Sequence, residues 1–491
     1  MSSVSAVGII AEYNPFHNGH LWHLREARRK SGRDFTCVLL SGHFVQRGSA
    51  AVWSPHARAA AALSAGADAV FLMPTPFSAS SARDYATFGV RLFSALGLPA
   101  LSCSTEGHSA KELLLLAERL NKADPRFRQV LKAALKRGSA YPAAREEAAM
   151  ELLFGGGENR TDDTWGGVDS QSAVSGDGTT SEVPVLNREA VHEMLSEPNH
   201  LLAFEYASAL KTYAPHMGFF TVPRRGAGHD APLTGRPAGR HAESGYDSGS
   251  GYDIRQGCDD WQGYDNRQGC DNRQGYASAS AIRKLLLENE GSESLLSSQS
   301  LLSGLMPPEA LNALKDRPAL NPEAFLLPVK LALLSCLRDD IPLSVFSDMP
   351  EDLADRITPD RIAEADSLTS LIEGIRTRQY THTRVSRALT AVLNGVRKEQ
   401  MEAWKAAPPP FAYLLGFRKP AGELLSQLKR ESDIPIISKA ADAEHLLGPG
   451  TPGHRLFLSE VRASELWNAV LRASCGRQEK DFYRQSPVVV S

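Results

Sequence analysis

Over the first 110 residues, short apolar runs alternate with longer amphipathic stretches: 7–11 then 21–30, 37–40 then 55–65, 69–73 then 82–96, and finally 100–103. A run of four or five apolar residues is long enough for a buried strand and too short for a helix. The stretches of ten or more carry the three-to-four-residue spacing of a helix with one covered face. The alternation therefore predicts βαβ units, a parallel sheet with helices on both faces, and a ligand site at the carboxyl ends of the strands. Helical patterns continue over 110–120, 125–136 and 143–153, and a further strand over 218–222 ends at Pro223-Arg224-Arg225. From Ala279 onward helical patterns dominate, broken by Pro307-Pro308, Pro408-Pro409-Pro410 and Gly448-Pro449-Gly450. Periodicity leaves 434–437 and 487–490 open between strands and a small capping subdomain.

Two segments interrupt this pattern. Residues 155–187 are rich in Gly, Ser, Thr and Asp with almost no apolar periodicity, and residues 245–276 hold an imperfect repeat of Gly-Tyr-Asp and Arg-Gln-Gly-Cys-Asp elements. Neither buries enough apolar surface to offset its own ordering entropy, so both read as insertions, the first a mobile loop and the second expanded low-complexity sequence. The resulting division is an α/β domain over 1–290, with insertions at about 155–187 and 231–276. A mainly helical domain follows over 291–440, and an extension or small subdomain over 441–491.

Composition narrows the class. Hydrophobic residues make up 42% and charged residues 23%, as in ordinary globular proteins,. No apolar run approaches the ~20 residues of a membrane span, and the first residues lack the basic region of a signal peptide. A cytoplasmic protein with no membrane partner is expected. The six cysteines form no CxxC pair, which argues against a zinc knuckle or a disulfide framework,. The net charge is −3, yet residues 370–440 carry twelve Lys/Arg against six Asp/Glu, and that local excess keeps an RNA partner in view,.

The chemistry concentrates after the first strand, in Ile10-Ala11-Glu12-Tyr13-Asn14-Pro15-Phe16-His17-Asn18-Gly19-His20-Leu21-Trp22-His23. A buried strand runs into a polar turn and then a helix that starts near Gly19 or His20. Main-chain N–H groups at such a helix start point at an anion, Gly19 admits close backbone approach, and two imidazoles three residues apart can both donate to one phosphoryl group. Nucleotidyl transfer needs placement and charge stabilisation more than a protein nucleophile. His43, Gln46 and Arg47 follow the second strand and project from the same carboxyl edge, placed to contact a ligand there. Arg376, Arg378, Arg384 and Arg387, interleaved with Tyr380 and His382, suit an RNA backbone and an unstacked base.

The run Glu12 to His20, followed by Ser41-Gly42-His43-Phe44-Val45-Gln46-Arg47-Gly48, resembles the bacterial tRNA(Met) cytidine acetate ligases, a branch of the HxGH nucleotidyltransferase superfamily. Further segments agree in order: Ser196-Glu197-Pro198-Asn199-His200-Leu201-Leu202, Arg224-Arg225-Gly226-Ala227-Gly228-His229-Asp230, Ser278-Ala279-Ser280-Ala281-Ile282-Arg283 and Arg378-Gln379-Tyr380-Thr381-His382-Thr383-Arg384. The likeness covers almost the whole chain outside the insertions. It implies an α/β fold, a doubly wound, Rossmann-like N-terminal domain followed by a mainly helical C-terminal domain. The implied activity is activation of acetate by ATP to acetyl-adenylate, then acetylation of the N4 amine of the wobble cytidine of elongator tRNA(Met).

Carried over residue by residue, the resemblance implies an ATP cradle from Ile10 to His23 with His17 and His20 on the phosphates. Asn199 becomes an amide contact, Arg224 or Arg225 a guanidinium contact, and Ser280 with Arg283 a turn closing over the outer phosphates, while His43, Gln46 and Arg47 could hold acetate, a magnesium-bound phosphate or the incoming cytidine. Magnesium is expected with ATP, without a dedicated carboxylate cage. The sequence departs from the family in three places. Ser104 stands where a glycine beside the nucleotide is usual, His200 replaces a second Asn, and a Tyr before His229-Asp230 is missing, which leaves the choice between Arg224 and Arg225 open. The alternatives are an adenylyltransferase for a small cofactor precursor and a catalytically inactive RNA-binding relative.

Overall fold

The apolar runs of the first 110 residues become four strands: β1 (Ala6–Ala11), β2 (Phe35–Ser41), β3 (Ala69–Met73) and β4 (Ala100–Thr105). The structure, a computed structural model, describes residues 4–121, 125–139, 141–155, 164–166, 185–196, 198–225, 275–288 and 302–491. The repeat expected over 245–276 therefore lies outside the described residues except at its last two positions. Of the loop expected over 155–187, the described part includes two three-residue strands, β5 (Thr164–Gly166) and β6 (Val185–Asn187), paired antiparallel. A further long strand, β7 (Gly218–Pro223), joins the main sheet beside β4.

β1 pairs in parallel with β2 on one side and β4 on the other, with Ala11 opposite Leu40 and Ile9 opposite Ser102. β4 and β7 end together at Thr105 and Pro223. This common register places the turns after β1, β2, β4 and β7 along one edge. Val7, Ile9, Val38, Leu39, Val70 and Phe71 are fully buried. Burial on both faces is what a parallel sheet between helical layers requires, and it explains why these strands read as unbroken apolar runs.

The sheet is larger than the sequence pattern indicates. β8 (Ala412–Arg418) lies antiparallel to β3, while β9 (Ile436–Ile437) and β10 (Val488–Val490) each pair in parallel with β8. The strand order is β10-β8-β3-β2-β1-β4-β7. Residues assigned from sequence to a helical domain and a C-terminal extension thus complete the sheet. The 24-residue helix Pro452–Cys475 buries Leu456, Phe457, Val461 and Trp467.

Residues between 326 and 393 build a second core from Val329, Leu333, Phe346, Met349, Leu371, Ile375, Val385, Leu389 and their neighbours. Its principal helix, His382–Leu393, is capped by Thr381, whose side chain accepts from the Arg384 N–H. This helix meets the sheet through the loop after β2. The Gly48 carbonyl accepts hydrogen bonds from Ser386 Oγ at 2.7 Å and Thr390 Oγ1 at 2.6 Å. Gly48 has φ +76°, and a Cβ there would stand 2.4 Å from the Arg387 backbone nitrogen. Only glycine combines that backbone conformation with that approach.

Gly48→Ala should therefore push the loop and helix apart and lower stability by about 1–3 kcal/mol. Gly374→Ala, in a helix and with nothing within 4 Å of its would-be Cβ, should leave the thermal midpoint unchanged or slightly raised. Equal midpoints for the two variants would mean that this contact does not hold the helical core in place.

Candidate active site

The turn after β1 is shaped by its own histidines. The helix Asn18–Ser31 begins one to two residues earlier than the sequence suggests, with His17 as its N-cap. His17 Nδ1 accepts from the Gly19 N–H at 3.1 Å, and His20 Nδ1 accepts from the His17 N–H at 3.3 Å, so the two imidazoles form a reciprocal capping box. The rings stack with centroids 3.7 Å apart. A neutral ring whose Nδ1 accepts must carry its proton on Nε2. Burial, then the nearby guanidiniums of Arg224 and Arg283, lowers His17 to about 3. Burial followed by the His17 and Arg224 charges holds His20 well below its ordinary range. Both rings are thus neutral at pH 7, each with one Nε2–H donor uncommitted by the cap.

Below the turn, Arg58 is fully buried in the helix Pro55–Ser64. Its guanidinium donates to the carbonyls of Glu12 at 2.6 Å, Ser41 at 2.9 Å, Trp53 at 2.9 Å and also Gly42. Burial lowers its pKa to about 10, which still leaves the group charged at neutral pH. Glu12 Oε1 accepts from the Gln46 N–H at 3.0 Å, and Asn14 Oδ1 from the Val52 N–H at 2.9 Å. The turns after β1 and β2 are therefore fastened to each other by one cation and two side chains.

These turns face a cavity of about 1260 Å³. Of the fourteen residues in the expected cradle, Ile10, Ala11, Glu12, Tyr13, His17, Gly19, His20, Trp22 and His23 line it. Asn14, Pro15, Phe16, Asn18 and Leu21 do not. Asn18 is instead a buried anchor whose Nδ2 donates to the carbonyls of Gly275 at 2.9 Å and Gly304 at 3.0 Å. His23 bonds Ser102 Oγ at 3.1 Å through Nε2, and burial followed by Arg224 lowers it to about 4.

On the β4–β7 side, Ser104, Glu106, Arg224 and Arg225 line the cavity. The two arginines differ in environment. Arg224 reaches Glu106 at 3.4 Å, whereas the Arg225 guanidinium lies 3.6 Å above the Trp22 ring. His200, which stands in place of an asparagine, is buried outside the cavity and accepts from the Glu106 N–H at 3.2 Å through Nε2. It thereby steadies the turn after β4. Asn199 falls in the first turn of the helix Pro198–Tyr213, but its side chain is outside the description. Arg283 donates to the Asn14 carbonyl at 2.7 Å and to Ser280 Oγ at 3.0 Å, so this pair braces the turn from outside the cavity lining.

On the β2 side, Gln46 and Arg47 line the cavity, but His43 does not. His43 is 1% exposed and its Nδ1 lies 2.8 Å from Glu460 Oε1, a hydrogen-bond partner in the helix Pro452–Cys475. The other Glu460 oxygen accepts from the Thr75 N–H at 2.6 Å. His43 is accordingly a buried brace, and the expectation that it touches a ligand is corrected. Of the basic stretch, Arg384 and Arg387 reach the cavity together with Gln379, Thr381 and Thr383. Arg376 pairs with Glu373 at 2.5 Å and Arg378 is exposed, both outside the lining. Tyr380 is buried with its hydroxyl 2.6 Å from Asp352, which removes its ring from base stacking.

Sequence reasoning missed Arg58, Glu460 and Asp348, the carboxylate that holds Arg384 and Arg387. An arginine inside a run of alanines was the only local sign of Arg58; the other two bear on the site only through distant partners. Among the described residues, no group of three or more His, Cys, Asp or Glu is placed to hold a metal ion, and no helix is long and apolar enough to cross a membrane.

Comparison with known proteins agrees with this architecture. The family model described as HIGH Nucleotidyl Transferase matches residues 4–238 and 262–481. A tRNA(Met) cytidine acetate ligase of Acetivibrio thermocellus is 29% identical over 99% of this chain and 100% of its own length. One of Syntrophotalea carbinolica is 28% identical over 97% of each. Among solved structures, Thermotoga maritima TmcAL superimposes with a TM-score of 0.77 in its apo form and 0.74 bound with alpha-thio ATP, at 21% identity over 99% of both chains. With a mixed, mostly parallel sheet, a histidine-capped turn at its carboxyl edge and a family match over most of its length, the chain belongs to the HIGH nucleotidyl transferase family.

Proposed function

We propose that this protein uses ATP to activate acetate as acetyl-adenylate and transfers the acetyl group to the N4 amine of the wobble cytidine of elongator tRNA(Met). The observation that carries the reading is the pair of neutral, cap-oriented imidazoles lining the cavity, each left with an Nε2–H that the capping box does not use and that can donate to a phosphate,. The curated relatives named tRNA(Met) cytidine acetate ligase match nearly end to end and supply the identity of the substrates.

In the first step an acetate oxygen attacks the α-phosphorus, forming a new P–O bond as the bond to pyrophosphate breaks. His17 and His20 donate through Nε2 to the non-bridging oxygens as charge gathers there, and Arg224 or Arg225 steadies the nucleotide from the β7 side. In the second step the cytidine amine attacks the acetyl carbon, the C–O bond to AMP breaks, the amine loses a proton and AMP departs. Neither step needs a protein nucleophile, because the mixed anhydride is already activated and the cavity supplies proximity. A magnesium ion would offset the charge of the ATP phosphates, and among the described residues no cluster of three or more carboxylate, His or Cys side chains would hold it independently of the nucleotide,.

His20→Ala should slow acetate-dependent exchange of pyrophosphate into ATP by about 10²–10³-fold, the usual cost of one fixed donor to a developing oxyanion. Labelled acetate should appear in tRNA(Met) with the wild-type protein and fall with the same variant. Exchange that proceeds without acetate, or label that never reaches the RNA, would sink the proposal.

The depressed histidines also set a pH dependence. His17, His20 and His23 bind protons less readily folded than unfolded, so their contribution to stability is complete above about pH 6.5. It is lost progressively as pH falls toward the folded values of about 3 and 4 for His17 and His23. The thermal midpoint of the nucleotide-free protein should fall between pH 7 and pH 5, and His23→Gln should flatten that fall. Identical slopes for wild type and variant would mean that His23 is not held neutral in the folded state.

A further inference from the structure

We propose that the β2 side of the cavity is a phosphodiester subsite, formed by Arg47, Arg384 and Arg387, that seats the acceptor RNA backbone beside the base to be modified. The inference rests on the reading above that the acceptor is RNA. Space is the first argument. Pockets for a single ligand run roughly 300–1,000 Å³, and this cavity is about 1260 Å³. A nucleotide at the strand-order switch between β1 and β4 leaves the β2 end for a second substrate,.

Charge is the second. Seven arginines line the cavity against four carboxylates. Of the other four, Arg145 pairs with Glu205 and Arg224 with Glu106, while Arg225 lies over the Trp22 ring. At the β2 end, Arg384 and Arg387 share one carboxylate, Asp348, at 3.4 and 2.9 Å, while Arg47 adds a third charge. Against these three guanidiniums stand Asp348 and Glu12, whose carboxylate accepts from the Gln46 N–H beside Arg47, so positive charge still exceeds negative at this end.

Geometry is the third. Arg384 and Arg387 both meet Asp348 through Nε, and their terminal nitrogens make no hydrogen bond among the described residues. Asp348 thus fixes the base of each fork and leaves the prongs available, the arrangement that favours bidentate phosphate recognition. The close approach of Gly48 to the Arg387 backbone sets the neighbouring Arg47 at the same junction between the sheet and the helical core, and all three arginines line the one cavity.

The test is binding of unmodified elongator tRNA(Met) to the full-length protein over a range of KCl concentrations. Each lost phosphate contact removes about 0.7–0.9 from the slope of log affinity against log salt. Arg47→Ala, which disturbs no ion pair, should lower the slope by about one, and Arg384→Ala with Arg387→Ala by about two. The dissociation constant should rise at least tenfold in the double variant, and by far more than the KM for ATP in acetate-dependent exchange. Arg387→Lys should keep the slope, because charge is retained, and lose affinity, because the fork is not. Wild-type slopes in Arg47→Ala and in the double variant would overturn the subsite. So would a KM for ATP that rises as much as the RNA constant, since the arginines would then serve the nucleotide. A wild-type protein with no acetate-dependent exchange would instead overturn the proposed reaction, and the subsite with it.

Discussion

A buried guanidinium governs the geometry of the cavity. A charge withdrawn from water is tolerated only where its donors are satisfied, and Arg58 meets that demand with carbonyls from the β1 turn, the end of β2 and the start of its own helix. Those carbonyls cannot be reached unless the two turns lie side by side. The alanines around Arg58, nearly all fully buried, let its helix sit close enough to the sheet for the short reach. What looks like an unremarkable Ala-rich helix is the support for both walls of the site.

From that support the chemistry builds upward in two directions. Toward β4 and β7, the capping box decides which nitrogen of His17 and His20 carries the proton, so a rule of helix termini doubles as preparation for binding an oxyanion. Toward β2, the loop through Gln46, Arg47 and Gly48 carries the sheet's influence into the second hydrophobic core. Glu460 and His43 brace the same loop from behind. The cavity is therefore bounded by two packed bodies and one glycine-dependent seam, which explains how side chains more than 300 residues apart come to share it.

Much of this was legible in the sequence because it depends on local rules. Strands such as Ala69–Met73 and helices such as Pro125–Lys136 fall where periodicity puts them, and the His17 to His20 turn declares itself by spacing. β8 was not legible. Its Ala-Tyr-Leu-Leu-Gly-Phe-Arg run is short and largely apolar without alternation before Arg418, and such a segment does not reveal whether it belongs to a helix or a strand,. The roles of Asn18, His43 and Tyr380 were misread for a related reason. Each is a polar or aromatic residue in a motif-rich stretch, but its contacts are with Gly275 and Gly304, Glu460 and Asp352. Motif membership marks a neighbourhood; only tertiary partners separate the residues that face a ligand from those that hold the frame.

The position of β8 has a consequence for biosynthesis. β3 is flanked by β2 from the moment the first hundred residues are made, but its other edge is covered only by residues 412–418. At ordinary translation speeds of about 5–20 residues per second, that interval lasts on the order of tens of seconds. Throughout it, the nascent chain carries a fully apolar, unpaired edge strand, the kind of surface that invites pairing with another chain. The order in which the ribosome delivers strands thus makes this a fold whose sheet can close on that side only after residues 412–418 have been made.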